Sequence, residues 1–322
     1  MRDGVGIAIR RYGTLIGFAA IVLFFWWSIP DTFMSARNWL NISQQMSMLA
    51  VVAFTMTIVM VMGDFDLSVG SMASLAGVVA AVLFAQGWPV TAGVAAALGV
   101  GLAGGLLNGF LVSIVGILPF VATLGTLTVF SGLAFLTSGG KTIFGREIPA
   151  EFSGFARGVI DLFGNGALML PYLTLAALVV LVIVWVLLEQ TAFGRRLYAI
   201  GGNAEAARLA GVKVRSLRLI AFSLTGLGAA VGGLMYASRV ASANPTQGGG
   251  LMLDAIAAVF LGMTMSEEGE PRVAATLVGV LILGVLDNGL TQLSVDSYVR
   301  EILVGTIIVA AVAFSSFSRR NG

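Results

Sequence analysis

Long apolar stretches without charge dominate the pattern of this chain. From Leu67 to Gly140 no side chain is ionisable, and this interval is long enough for three helices of about 20 residues, the length that crosses the hydrocarbon core of a bilayer. Stretches of the required length fall at 12–30, 44–62, 69–86, 90–115, 117–137, 168–189, 218–239, 251–265, 273–290 and 299–316. The pattern therefore predicts an all-α polytopic membrane protein with about ten transmembrane helices.

Composition narrows the possible chemistry. The chain is 58% hydrophobic and 11% charged, and it contains neither cysteine nor histidine. Disulfides, thiolate catalysis, histidine or cysteine metal sites and Ser-His arrangements are therefore excluded. A net charge of +2 gives no indication of nucleic acid. We predict no catalytic residue, no metal and no cofactor, and a membrane enzyme is disfavoured because no convergent acid–base cluster is visible.

The distribution of basic residues predicts the orientation. Cytoplasmic loops retain Lys and Arg, and an even number of spans places both termini on one side. With both termini inside, twelve basic residues lie on the cytoplasmic side and six on the other. Loop 138–167 is then external and loop 191–216 internal. Segment 12–30 is longer than the apolar part of a signal peptide and is predicted to be the first retained span.

An internal repeat is predicted within a single transmembrane domain, residues 1–322. Gly99-Val100, Gly104, Leu106 and Asn108-Gly109 recur as Gly279-Val280, Gly284, Leu286 and Asn288-Gly289, always 180 residues later. The repeats would cover about 12–137 and 168–316, five helices apart and so inverted. An acidic residue opens an alanine-rich span in each half, Asp66 and Asp254, but the spacing differs, which indicates an insertion. Chance similarity among apolar helices is the alternative.

The glycine-rich part of the first copy also matches a dinucleotide-binding fingerprint. Residues 99–104 read Gly-Val-Gly-Leu-Ala-Gly, but that fingerprint requires a preceding strand and a helix N-terminus. Here it lies inside an uncharged span. We predict a helix-packing face.

Two carboxylates interrupt the boundary between the second and third spans. The segment 63–71 reads Gly-Asp-Phe-Asp-Leu-Ser-Val-Gly-Ser, and such acids are costly in a membrane unless they are hydrated, capped or paired. Asp66 or Ser68 can cap the third span. Alternatively, this break lines the translocation path or its gate.

The largest internal loop, 191–217, predicts a short helix over Ala204–Ala210. Asn203 is a suitable N-cap and Gly211 a suitable stop, while Glu205 and Arg208 suit the helix dipole and can pair at i,i+3. The helix is either an ordinary solvated loop helix or a rigid mechanical lever.

Three segments together resemble the permease subunits of bacterial ABC importers for ribose, arabinose, xylose and related sugars. They are segment 63–71, loop 193–212 and the span containing Gly279-Val280 and Asn288-Gly289. The likeness runs over nearly the whole chain, and loop 193–212 is its most specific part.

The resemblance implies a permease of the bacterial inner membrane that imports a monosaccharide and catalyses no covalent reaction. Its implied partners are a second permease subunit, cytoplasmic ABC ATPase subunits and a periplasmic sugar-binding protein, within membrane lipid and without nucleic acid. The implied coupling helix, which docks into the ATPase, is Asn203, Ala204, Glu205, Ala206, Ala207, Arg208, Leu209, Ala210 and Gly211.

A neutral sugar needs polar groups that match its hydroxyls. Our candidates for the translocation path are Asp64, Phe65, Asp66, Ser68, Ser71, Asn108 and Asn288, with Phe65 as a hydrophobic gate or simply a packing residue. An ion-coupled secondary transporter is the alternative function, for which Asp287 is the residue to examine. The acidic segment 267–270 departs from the usual glycine-rich turn of these permeases, so no role carries over to it. The sequence does not identify the sugar.

Overall fold

A computed structural model describes residues 2–161, 164, 169–266, 269–306 and 309, with side chains from residue 13 onward. The apolar stretches form helices, because a helix satisfies every backbone hydrogen bond where water is absent. The helices are α1 Arg2–Ser28, α2 Pro30–Phe33, α3 Ala36–Met60, α4 Val69–Ala85, α5 Val90–Phe110, α6 Pro119–Ser138, α7 Ala150–Arg157, α8 Tyr172–Trp185, α9 Ala192–Leu209, α10 Val214–Val240, α11 Gly249–Met263, α12 Val273–Gln292 and α13, residues 297–306.

The prediction of an all-α polytopic membrane protein is confirmed. Within the described part of the chain, six helices are long and apolar enough to span a membrane, and α4, α11 and residues 13–28 of α1 are shorter apolar helices. Two of the six are lengthened by a π-helical turn, Leu111–Val115 after α5 and Val186–Gln190 after α8. The total of ten spans stays a prediction, since the predicted last span ends outside the described residues. The repeat and the location of the termini also stay predictions.

The backbone contacts divide the chain into two compact units. One comprises the residues up to Met46 and from Asp254 onward, and the other comprises Ser47–Leu253. The extent of a single domain, 1–322, remains a prediction.

In the central unit, Ser47–Leu253, glycines let α10 pack directly on its neighbours. A Cβ on Gly109 of α5 would lie 2.8 Å from the Cα of Leu219, which leaves no room for a side chain. Gly101 likewise faces the backbone of Gly226, while Gly99 has open space around it. The predicted packing face is therefore present, but it excludes Gly99.

Helices α3 and α10 run antiparallel to each other in this unit. The Thr225 hydroxyl donates to the carbonyl of Thr55 at 2.9 Å, and a Cβ on Gly232 would lie 2.6 Å from a methyl group of Val52. Later residues of α10 therefore meet earlier residues of α3.

The other unit is also built on small residues of one helix. Gly279, Gly284 and Gly289 of α12 face the backbone of Ala258, the side chain of Met46 and the ring of Phe25 respectively. Each of these glycines belongs to the repeated pattern seen in the sequence.

Between α6 and α8 the chain forms three short strands and helix α7, and the first strand pairs with a strand that follows α10. Strand β1 Ile143–Phe144 pairs antiparallel with β4 Ser242–Ala243, and β2 Val159–Asp161 pairs antiparallel with β3 Met169–Pro171. Helix α7 lies on α10, where the Ser238 hydroxyl donates to the carbonyl of Phe152 at 2.6 Å.

Candidate functional site

The break between α3 and α4 begins with a sharp stop of α3. The N–H of Asp64 donates to the carbonyl of Val59 at 3.2 Å, and the N–H of Gly63 donates to Met60 at 2.9 Å. Gly63 has a φ of +78°, the left-handed conformation that glycine adopts without a Cβ penalty. This ending turns the chain away from the helix axis and holds Asp64 at a break.

Asp66 lies at the centre of a buried hydrogen-bond network. Its side chain is only 1% exposed. Its Oδ1 accepts the N–H of Ser68 at 2.9 Å and the Ser68 hydroxyl at 2.6 Å. Asn108 of α5 donates to both carboxylate oxygens at 3.3 Å and to the Ser68 hydroxyl oxygen at 2.8 Å. Burial of a carboxylate is costly unless such donors surround it, so the network fixes the start of α4 against α5.

The structure decides between the two predicted caps of α4. Ser68 occupies the N-cap position, but its side chain makes no cap hydrogen bond. Asp66 instead accepts the N–H of Ser68, immediately before the helix. Of the two candidates, Asp66 accepts an N–H at the start of α4, and the Ser68 side chain makes no cap hydrogen bond.

Two threonines of α6 extend this network, and the sequence analysis missed both. Thr126 donates to the Oδ1 of Asn108 at 2.7 Å, and Thr123 donates to the carbonyl of Phe65 at 3.3 Å. Both side chains are buried. Their spacing of three residues on an apolar helix puts them on one face, which was the available signal.

Asp64 forms an ion pair with Arg218 of α10, a second contact that the sequence did not reveal. The Nε of Arg218 lies 2.9 Å from Oδ2 of Asp64, and Nη2 donates to Oδ1 at 3.2 Å. The Asp64 side chain is 5% exposed and that of Arg218 26%. Burial raises the pKa of Asp64 to about 6, although the guanidinium opposes this shift.

The predicted loop helix is the second half of α9. Asn203 has non-helical dihedral angles and kinks α9, and its Oδ1 accepts the N–H of Ala206 at 2.9 Å, as an N-cap does. At the other end Gly211 has a φ of +86°, and the N–H of Val212 donates to the carbonyl of Ala207 at 3.0 Å. Both predicted end signals, the cap and the glycine stop, are confirmed.

Charged and apolar side chains of this half are open to solvent. Arg208 and Glu205 form a two-point ion pair, with Nη2 and Nε at 2.6 Å and 2.9 Å from the carboxylate oxygens. Leu209 is 74% exposed, whereas Ala207 is only 6% exposed. The methyl group of Ala207 therefore faces the protein, and the contact of residues 203–211 with an ATPase stays a prediction.

The first half of α9 packs on residues Val186–Gln190 and on α10, and its end touches the chain just after α3. Leu197 and Ile200 are buried, and Gly201 lies so close to the carbonyl of Val61 that a side chain has no space there. Thr191 caps the start of the helix by accepting the N–H of Phe193 at 3.2 Å. The kinked helix is thus anchored beside the break that contains Asp64.

In the other unit, Asp287 is paired. The Nε of Arg300 lies 3.1 Å from its Oδ1, and Gln45 donates to Oδ2 at 2.5 Å. Asn288 is buried and accepts a hydrogen bond from Gln292 at 2.8 Å. Across residues 2–161, 164, 169–266, 269–306 and 309, no group of three acidic side chains is arranged to hold a metal ion.

The structure distributes the seven predicted path residues over four environments. Asp66, Ser68 and Asn108 share the buried network, while Phe65 and Ser71 are partly exposed. Asp64 is held by Arg218, and Asn288 lies in the other unit. The acidic segment 267–270 includes residues 267 and 268, which lie outside the described residues.

The apolar spanning helices define a multi-pass membrane protein, and its family and relatives are transporter permease subunits rather than enzymes. The chain belongs to the family described as the branched-chain amino acid transport system / permease component, whose model matches residues 38–312. It is a multi-pass protein of the inner membrane. A permease component is one part of a larger importer, so the family implies an ATPase and a periplasmic binding protein as partners.

Curated relatives are similar over almost the full length. A ribose import permease protein of Bacillus subtilis (strain 168) is 37% identical over 310 residues, 96% of this chain and 93% of the relative. A ribose import permease protein of Escherichia coli (strain K12) is 38% identical, covering 88% and 87%. A xylose transport system permease protein of the same strain is 32% identical, covering 94% and 90%. No solved structure matches this chain.

Proposed function

We propose that this chain is the permease subunit of an ABC importer for a monosaccharide, a pentose, hexose or related polyol. A periplasmic binding protein delivers the sugar, and ATP hydrolysis in a separate subunit drives its translocation. The family description names branched-chain amino acids, but the relatives with 32–38% identity are named for ribose and xylose. This similarity over nearly the whole chain favours a sugar.

The observation that carries the energetic part of the proposal is the second half of α9. It is a helix with a cap at Asn203 and a glycine stop at Gly211, and it exposes a large apolar side chain, Leu209, beside the ion pair of Glu205 and Arg208. A rigid helix that exposes a large apolar side chain suits docking into an apolar groove of another protein. We assign the contact with the ATPase to the exposed residues of 203–211, without Ala207.

An inverted repeat is the proposed architecture. Helices α3 and α10 end at Met60 and Val240, and α4 and α11 begin at Val69 and Gly249, in both cases 180 residues apart. The same offset relates the glycine patterns of α5 and α12. Since α3 and α10 run antiparallel, their relation supports inversion. The common starts of α4 and α11 also speak against the insertion inferred from Asp66 and Asp254, because Asp254 then corresponds to Ser74.

For the translocation path, the partly exposed residues of the break are the best candidates. Phe65 in the break and Ser71 in the first turn of α4 are partly exposed, whereas Asp66, Ser68 and Asn108 use their polar atoms within the network. We propose that the network holds the break in shape while Phe65 acts as the gate. In the second repeat, Asn288 corresponds to Asn108.

The proposed assembly contains a second permease subunit, identical or related, surrounded by lipid. Exposed apolar side chains cover much of α5, α6 and α8, which provides surface for both. We also propose that both termini are cytoplasmic, consistent with the concentration of basic residues in loop 191–217.

Asp287, the residue to examine for an ion-coupled secondary transporter, gives that alternative no support. Asp287 is matched by Arg300 and Gln45, whereas proton or cation coupling requires a carboxylate that exchanges its partner ion during transport.

Proteoliposomes test the proposed function directly. The chain is reconstituted with its partner ATPase and binding protein, and uptake of labelled ribose, xylose and leucine is measured with internal or external ATP or with a proton gradient. We expect uptake of a sugar with ATP on the ATPase side only. Uptake driven by the proton gradient without the ATPase would refute the proposal, and uptake of leucine alone would refute the sugar assignment.

A further inference from the structure

We infer that the ion pair of Asp64 and Arg218 transmits the movement of α9 to the break before α4. The inference rests on the proposed function, in which α9 receives the ATPase. It gives both residues a positioning role, and it moves Asp64 from the candidate path to the coupling machinery.

Arg218 is connected to α9 by very little chain. The second half of α9 stops at Gly211, and α10 begins at Val214. Arg218 therefore lies in the second turn of a helix that follows the proposed docking helix after a two-residue connection. A displacement of α9 is consequently passed to the start of α10 with little slack.

Asp64 lies at the opposite end of this connection, directly before the proposed gate Phe65. The carbonyl of Phe65 is held by Thr123 of α6 at 3.3 Å, and the following Asp66 is held by Asn108 of α5. A pull on Asp64 therefore acts on a segment whose far side is fixed, which bends the break instead of translating it as a whole.

The first half of α9 makes a backbone packing contact beside this ion pair. Gly201 abuts the carbonyl of Val61, three residues before Asp64. Such packing opposes movement of α9 toward the break, but it provides no attraction when α9 moves away. The ion pair adds the attractive contact, since both atoms of the guanidinium edge that approach Asp64 lie within 3.2 Å of it.

The burial of Asp64 makes this ion pair suitable for transmission. The Arg218 side chain is 26% exposed and that of Asp64 5%, so salt screens the pair less than a pair at the surface, and the Asp64 carboxylate without its partner is costly. The two residues are therefore constrained to move together. Arg215, one turn earlier on the same helix, is exposed and has no such partner among the described residues, so it offers a matched control.

The test compares Asp64→Asn, Arg218→Gln, the double variant, Arg218→Lys and the control Arg215→Gln. Each is purified as the full complex with ATPase and binding protein, and sugar uptake and ATP hydrolysis are measured in the same proteoliposomes. We expect the amount of sugar moved per ATP to fall about tenfold in Asp64→Asn and in Arg218→Gln, a typical size for coupling between sites. The double variant should lose no more than either single variant, because the two share one interaction.

Partial rescue distinguishes transmission from mere stability. Arg218→Lys keeps the charge and should retain more than half of the transport per ATP, and Arg215→Gln should equal the wild type. Unchanged transport per ATP in either single variant, multiplicative losses in the double variant, or a loss of complex formation in place of coupling would overturn the inference. Failure of the wild-type complex to import sugar with ATP would instead refute the proposed function.

Discussion

At the residue scale, hydrogen-bonding capacity explains why a carboxylate can be buried in such an apolar chain. The two oxygens of Asp66 accept bonds from Ser68 and Asn108, and Thr126 in turn occupies the amide oxygen of Asn108. Each side chain of the network thereby provides a hydrogen-bond partner for another, and loss of one leaves a buried polar atom without a partner.

Replacement of Thr126 by valine tests this network. Valine keeps the shape but removes the donor to Asn108, so we expect a lower melting temperature in detergent, corresponding to about 1–3 kcal/mol. Thr128→Val is the matched control, since Thr128 is exposed on the same helix. A melting temperature equal to that of the control would show that the network contributes nothing to stability.

Local signals in the sequence predicted both ends of the second half of α9. The contacts between residues far apart in the sequence were not predicted. Asn203 and Gly211 act within a few residues of themselves, so their roles can be read from spacing. Asn108 and Asp66 are 42 residues apart and were named separately, without a link between them. Arg218 was counted only as a cytoplasmic charge, because nothing in its neighbourhood indicates a carboxylate 154 residues away. The burial of Ala207 was not predicted, because it depends on packing rather than on helix spacing.

At the element scale, the N-cap of the second half of α9 is open to a direct test. In Asn203→Ala the amide of Ala206 loses its acceptor, which costs about 0.5–2 kcal/mol for a helix terminus. We expect faster hydrogen exchange over residues 204–210, measured by mass spectrometry, with no change in the first half of α9. Unaltered exchange in this segment would contradict the assigned cap.

Close packing of α5 on α10 gives a second prediction at this scale. Gly109 meets the backbone of Leu219, whereas Gly99 on the same helix has free space. Gly109→Ala should therefore lower the melting temperature, since backbone atoms must move apart. Gly99→Ala should leave it unchanged or raise it, because alanine favours the helix by about 0.5–1 kcal/mol. Equal effects of the two substitutions would argue against this interface.

At the scale of the whole molecule, the absence of native cysteines simplifies a test of orientation. In single-cysteine variants Arg157→Cys and Arg208→Cys, we expect a membrane-impermeant maleimide added outside right-side-out vesicles to label only residue 157. Inverted vesicles should give the opposite result. Labelling of both positions from one side would contradict the proposed topology.

The central claim is that a separate ATPase subunit drives the permease by contacting the second half of α9. Hydrogen exchange of the permease in lipid nanodiscs, measured with and without the purified ATPase, tests this contact most directly. We predict slower exchange at residues 203–211 when the ATPase is bound, together with a change at the break 61–68. Protection elsewhere on the cytoplasmic face, with residues 203–211 unaffected, would contradict it.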